Sequence, residues 1–300
     1  MILKSALSFF FSVSLFHCVA QVKMPDSVKK LNEVTVKGYY NRQPLLRSTS
    51  AVSLIDSLQI RNQNSASLVG LANTATGVRM EERSPGSYRF SLRGSLLRSP
   101  FGIRNVKMYL DDFPLTDAGG NTYLNLIDVK SISGLEIYKG PEASTFGANT
   151  GGAVLINSVS LDKNATELGA SSGSFGLFKQ YASLVRTFRN YRFSLTQGYQ
   201  RSDGYRENSA LKRTFIQTTH AWDYSAKGQF KALLFVSDLA YQTPGGLTAV
   251  QFVQNPKLAR PATPTLPGAI TQQAAIYNKT IFAGLSHTYT FNSRLRHIIA

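Results

Sequence analysis

The chain has 300 residues, with 33 Lys and Arg against 17 Asp and Glu, a net charge of +16. Charged residues make up only 17% of it and aromatics 11%, where an ordinary soluble domain carries about 25% charged residues, so it is not a disordered polycation. No apolar run after residue 20 reaches the roughly 18–20 residues of a membrane-spanning helix, and the single cysteine, Cys18, excludes an intramolecular disulfide and any Cys-based zinc or iron–sulfur site.

Residues 1–20 come first in chain order. Lys4 precedes an apolar stretch from Ala6 to Phe16, and Val19-Ala20 stand before Gln21, which reads as a cleavable export signal that takes Cys18 with it. A membrane anchor would need a longer span, and a lipid on Cys18 would need smaller neighbours than Phe16-His17. Residues 21–38 form a polar N-terminal segment. Residues 39–160 read as a compact α+β domain, with a helix over 65–73 whose apolar face is Leu68, Val69, Leu71 and Ala72. Strand-like runs follow at 88–92, 106–110, 135–138 and 154–157, separated by Gly, Pro and Asn turns.

Residues 161–300 follow a different pattern. Tyr191, Phe193, Leu195 and Tyr199 share one face of a strand and Arg192, Ser194, Thr196 and Gly198 the other. The run ending at Phe291 repeats the alternation, with Phe282 and His287 as exceptions. Apolar-out, polar-in alternation over about ten residues suits a transmembrane β-barrel strand. Six strands are expected at 166–173, 177–188, 191–200, 214–224, 228–241 and 276–291, with a seventh starting near Arg294. The connections at 189–190, 225–226 and 292–293 are short, while 201–213 and 242–275 are long. Phe188, Tyr191, Tyr224, Tyr289 and Phe291 flank the short turns as an aromatic girdle would. This loop asymmetry favours a barrel over a soluble β-sandwich, which also alternates. A small globular domain placed just before a barrel suggests a plug in its lumen.

Charge is unevenly shared, with 16 basic and 6 acidic residues in 161–300. The basic side chains are scattered singly rather than clustered, so nucleic acid is not the expected partner. The charge reads instead as attraction for anionic ligands or lipid head groups. Arg98, Arg104, Arg201, Arg206, Lys212, Arg213, Lys257 and Arg260 lie in or beside candidate outer loops. No nucleophile–base–acid order, no His-Glu-x-x-His and no paired-carboxylate motif marks an enzyme. His220, His287 and His297 all fall on strand-like segments, where lumen or girdle positions are expected rather than ligation. Asp203 and Glu207 are too few for a calcium cage. No cofactor and no metal site is expected.

The run from Leu135-Glu136-Ile137-Tyr138-Lys139-Gly140-Pro141 through Phe146-Gly147 to Gly151-Gly152-Ala153-Val154-Leu155-Ile156-Asn157 resembles the plug signature of TonB-dependent outer-membrane receptors. Ser91-Leu92-Arg93-Gly94 resembles that family's leucine-arginine-glycine element, and 106–115 its strand and turn, with Asp112 inside it and Phe113 read as replacing the usual turn glycine. Leu31-Asn32-Glu33-Val34-Thr35-Val36-Lys37-Gly38 resembles the coupling box. Ser133-Gly134 stand where a Glu-Arg pair is frequent. Gly140, Gly147, Gly151 and Gly152 are expected in left-handed turns or close packing. Arg93 is expected either to pair with barrel carboxylates or to remain solvated.

The resemblance implies an α+β plug followed by a transmembrane antiparallel barrel, of which about the first six to seven strands are present. It also implies an importer of a scarce nutrient, driven by a TonB-type periplasmic energy transducer and embedded in outer-membrane lipid. Glu33, Val34, Thr35 and Val36 would couple, and Arg98, Arg104, Thr116 and Asn121 would help bind an anionic ferric chelate such as a siderophore. Cobalamin or an oligosaccharide is the alternative within the family, and a passive binding or adhesion barrel the alternative outside it. Plugged barrels of this size close with about 22 strands, so the chain is expected to be incomplete.

Overall fold

The computed structural model describes residues 34–37, 43–63, 66–84, 86–95, 103–140, 146–147 and 151–300. The expected export signal, Glu33, Arg98 and Pro141 lie outside the described residues.

Two short strands, β1 (Thr35–Val36) and β2 (Gln43–Pro44), precede β3 (Ala51–Ile55). The helix expected over 65–73 is only one turn, α2 (Val69–Ala72), and a longer helix, α1 (Ser57–Asn62), lies upstream of it. Asp56 starts α1 with a capping box: its carboxylate accepts from Gln59 N at 2.8 Å, and Gln59 Oε1 accepts from Asp56 N at 2.9 Å. α2 stops because Asn73 turns its side chain away, accepting from Met80 N at 2.7 Å and donating to Met80 O at 3.0 Å. That pair of bonds ties the turn to the hairpin β4 (Val78–Ser84) and β5 (Ser87–Leu92).

Then come β6 (Val106–Leu110), β7 (Phe113–Pro114), β8 (Ile132–Lys139) and β9 (Gly152–Ser158). They join β3 in a five-stranded sheet of order β3-β8-β9-β6-β7, parallel only between β6 and β9. Val106, Met108 and Leu110 point from β6 into one core with Leu71, Met80, Leu92 and Ile137. β6 and β7 are joined by Asp111-Asp112, and the left-handed residue is Asp111, with φ 55°. The turn therefore does not centre on Phe113, whose buried ring belongs to the extended strand β7.

Residues 165–299 form a seven-stranded antiparallel sheet in which each strand pairs with the next in sequence. Its strands are β10 (Ala165–Gly173), β11 (Leu177–Thr187), β12 (Tyr191–Ser202), β13 (Leu211–Asp223), β14 (Gly228–Gln242), β15 (Ala275–Thr290) and β16 (Arg296–Ile299). Burial follows the alternation: Ser194 and Thr196 are buried on β12 while Leu195 between them is exposed. The short turns carry the girdle, with Phe188 stacked on Tyr191 and Tyr289 edge-on to Phe291. His220 and His287 belong to it, each hydrogen-bonded to a tyrosine hydroxyl, Tyr191 and Tyr224 respectively.

The inner face is not uniformly polar, as strict alternation would have it. Phe215, Leu233 and Phe235 point inward and join the plug's core. Phe282 breaks the alternation because it faces the plug, stacking on Phe235 at 5.0 Å and meeting Phe113 edge-on at 6.5 Å. Gly284 makes room for this contact, since a Cβ there would stand 2.5 Å from the Phe113 ring. The long connection between β14 and β15 holds a helix the pattern did not announce, α3 (Ala249–Gln254), capped by Thr248.

Candidate functional site

The plug is fastened to the wall through residues 124–131, two 3₁₀ turns at Leu124–Leu126 and Val129–Ser131. Asp128 caps the second turn, its Oδ1 accepting from Lys130 N at 2.8 Å, which fixes the carboxylate toward the wall. There it meets Lys179 Nζ of β11 at 3.2 Å and Arg213 Nη2 of β13 at 2.7 Å. All three side chains are buried, at 2%, 1% and 8% exposure. Gly198 of β12 leaves space for the carboxylate, since a Cβ there would stand 3.2 Å from Asp128 Oδ2. Burial alone would raise the Asp128 carboxyl, but Arg213, then Lys179 and the Lys130 amide hold it below the usual carboxylate value. Arg213 also donates to Asn125 O at 3.2 Å, Ile127 O at 3.1 Å and Gln200 Oε1 at 3.2 Å. It is thus an anchor for the plug and not a ligand-facing loop cation.

A second set of contacts surrounds the β6–β7 turn. Asp111 Oδ1 accepts from Ser158 N at 2.9 Å, and Oδ2 lies 2.9 Å from Lys231 Nζ of β14. Asp112 pairs with Lys37 Nζ at 2.6 Å and accepts from the Ser286 hydroxyl of β15 at 3.4 Å. Burial would raise the Asp112 carboxyl, yet Lys37, with Lys231 and Ser286, keeps it low. Glu136 accepts from Lys37 N at 2.8 Å and from the Tyr138 hydroxyl at 2.9 Å on the same oxygen. Two signature acids, Asp112 and Glu136, therefore hold one residue, Lys37, of the motif 31–38 that is expected to couple. Within that motif Val34 and Thr35 are exposed and Val36 is buried.

Arg93 does not meet a wall carboxylate among the described residues. It takes φ 50° and lies over Gly140, where a Cβ would stand 3.0 Å from its Nη1. Among the described residues, the wall acid that meets a plug cation is Glu167, taken by Lys130 at 3.1 Å. Gly94, Gly140, Gly147 and Gly152 have φ of 78°, 98°, 113° and 138°. Gly151 does not. It is required by close approach instead, because a Cβ would overlap Asn105 O. Ser133, in place of the frequent acid, donates to Ser158 O at 2.5 Å beside a bulge in β8.

Of the expected ligand residues, Arg104 and Asn121 come together, with Nε donating to Oδ1 at 2.6 Å. Thr116 faces inward, accepting from Met108 N at 3.2 Å and sharing a 2.8 Å hydrogen bond with Thr122. It organises its turn rather than a binding surface. Lys179, Asp128, Asp111 and Lys231 were not singled out from sequence. Each reads there as an ordinary charged position, and only pairing across 47 or more residues reveals its role.

Residues 44–154 match the family model described as TonB-dependent Receptor Plug Domain. Among solved structures, the chain is similar to Pseudomonas aeruginosa FpvA bound to heterologous pyoverdines, with a TM-score of 0.67, 11% identity, and coverage of 86% of this chain and 34% of that one. It is similar to the ferric citrate transporter FecA in its unliganded form, with a TM-score of 0.66, 16% identity, and coverage of 82% and 38%. The ferric yersiniabactin uptake receptor FyuA of Yersinia pestis gives 0.66, 14%, 82% and 39%. The chain thus spans well under half the length of these receptors.

Proposed function

From a TonB-dependent receptor plug fastened to the first strands of a receptor-type barrel wall, we propose that this chain serves the active import of a ferric siderophore or other ferric chelate across the outer membrane. The observation that carries the reading is the linkage of the plug at two ends. Asp128 fixes it to β11 and β13, and Asp112 and Glu136 hold Lys37 of the coupling motif. A plug so placed blocks the lumen until force acts on the coupling segment, residues 33–36, which would add as a strand to a TonB-type periplasmic transducer. The ferric cargo is supported by the iron chelates named for FecA and FyuA. An anionic chelate agrees with the excess of basic residues in 161–300. Arg104, Arg206, Arg213 and Arg260 are engaged with protein oxygens, so these four contribute as a field rather than as direct contacts.

Uptake of radiolabelled iron by cells lacking the receptor, complemented with the full-length gene, tests the reading. Citrate, catecholate and hydroxamate chelates form the panel, with cobalamin and oligosaccharides as controls. Energy-dependent uptake of at least one ferric chelate is expected; uptake of cobalamin or a glycan alone would overturn it.

A further inference from the structure

The face of the wall turned away from the plug carries its own pattern, in rows set by strand register. At the long-loop end Phe178, Arg201, Lys212, Ala240 and Tyr277 stand side by side across five strands. They point outward, because their neighbours Lys179, Gln200 and Arg213 are buried on the plug side and successive strand residues take opposite faces. At the short-turn end the girdle row is Tyr191, Trp222, Phe230 and His287. Ten residues of β12 separate Tyr191 from Arg201, and ten of β13 separate Trp222 from Lys212. Ten residues span about 33 Å of strand. A tilt of roughly 40° turns that into about 25 Å of height, the height of a membrane barrel's apolar band. Leu195, Ile216, Leu234, Val236 and Ile281 fill the middle of the interval as exposed apolar side chains. On the receptor reading, Arg201 and Lys212 thus stand at the level of the lipid head groups on the long-loop side.

Two cations face each other there. Arg201 and Lys212 are direct partners in the β12–β13 register, and both are exposed. Among the described residues no acid pairs with either, and Asp238, in the next outward row, is taken by Lys279 at 3.8 Å. Like charges directly opposite on one face destabilise a strand pair, so this pair calls for an anion from outside the chain. A phosphate monoester suits the place. Near neutral pH it carries about −1.5 to −2 charges against the two cations, and its oxygens accept from a guanidinium and an ammonium together. A phosphate diester carries a single charge and leaves one cation unmatched. Phe178 and Tyr199, with ring centroids 6.4 Å apart, flank Arg201, and Tyr277 is exposed at the far end of the row. Aromatic side chains of this kind mark the interface of a membrane barrel.

We propose that Arg201 and Lys212 form a site for a monoester phosphate of an outer-leaflet glycolipid, whose acyl chains lie along the apolar rows toward the girdle. The inference rests on the receptor reading for the membrane around the wall. The test is native mass spectrometry of the delipidated full-length receptor in detergent micelles. The probes are lipid A, which bears monoester phosphates, and phosphatidylglycerol, a diester. Lipid A is expected to bind about tenfold more tightly than phosphatidylglycerol, and about tenfold more weakly to the double variant Arg201→Gln, Lys212→Gln. Both side chains are exposed, so the strands keep their core contacts. The double variant Arg189→Gln, Lys227→Gln removes two exposed cations from the short-turn end instead and should leave lipid A affinity unchanged. No lipid A binding, phosphatidylglycerol binding as tightly, unchanged affinity in the first variant or an equal loss in the second overturns the proposal. Uptake is not read. A receptor that imports iron without this site refutes the site alone, and one that holds lipid A here but imports no ferric chelate refutes the proposed function alone.

Discussion

Asp128 is a main fastening of the plug, because among the described residues it is the one carboxylate that two buried wall cations share. Asp128→Asn leaves Lys179 and Arg213 buried without their counter-charge, and removing one partner of a buried pair costs about 3–5 kcal/mol. Calorimetry of the full-length receptor should show the plug transition lowered by that amount, with the barrel transition unmoved. The pH dependence follows from the depressed carboxyl. A folded value below the unfolded one stabilises at every pH above the ordinary carboxylate value of about 3.9, and the contribution is lost as pH falls through the folded value. Plug seating should therefore be constant from neutrality to about pH 4 and weaken only in stronger acid; loss between pH 6 and 5 would contradict it. A second residue tests packing. Gly284→Ala drives a methyl into the Phe113 ring and should cost about 1–3 kcal/mol. Gly246→Ala, with nothing within 4 Å, should cost far less in the same thermal-unfolding assay.

The wall strands were legible because one face turned to the plug and the other turned away from it impose period two over ten or more residues. All seven appear where the alternation puts them, and the two long connections fall between β12 and β13 and between β14 and β15. Phe282 was legible as an exception but not explicable, since its reason is a ring contributed by Phe113, far away in sequence. The plug was harder to read. Its β4 alternates Val78 and Met80 with Arg79 and Glu81, a signal diluted by charge. The box Asp56-x-x-Gln59 marks the start of α1, a shorter signal than the apolar run after it. The signature glycines were readable through resemblance, whereas their wall partners were not, because an inward Lys179 has the same pattern position as any polar lumen residue. The long loops show how local chemistry organises an element without regular structure. Asn208, at φ 52°, donates to two carbonyls at the opposite ends of the 243–274 loop. Asn208→Ala should lose both bonds and about 1–3 kcal/mol of local stability. Limited proteolysis should then cut within 243–274 at least several times faster than in the wild type, and an unchanged digestion pattern would show that the loops are held by other means.

Across the whole molecule, these contacts form one connected path. Lys37 is bonded through Nζ to Asp112 and through its amide to Glu136. Asp112 reaches Ser286 of β15, and the adjacent Asp111 reaches Lys231 of β14. On the proposed coupling role of residues 33–36, a pull there would be delivered through Lys37 to the β6–β7 turn, which is one of the plug's attachments to the wall. The Asp128 cluster, on β11 and β13, is not on that path and would hold the other side of the plug while the first is strained. Two variants of the full-length receptor separate capture of the transducer from transmission of its pull. Val34→Pro removes a backbone N–H from an exposed position where strand addition would need it. It should abolish uptake while leaving ligand binding intact, and normal uptake would rule out the coupling role of residues 33–36. Lys37→Met keeps every backbone N–H and the length of the side chain but breaks the 2.6 Å pair with Asp112. It should still bind ligand and still capture the transducer in a pull-down, yet import several-fold more slowly. If Lys37→Met imports at the wild-type rate while Val34→Pro does not, the force reaches the plug by some route other than the Asp112 turn.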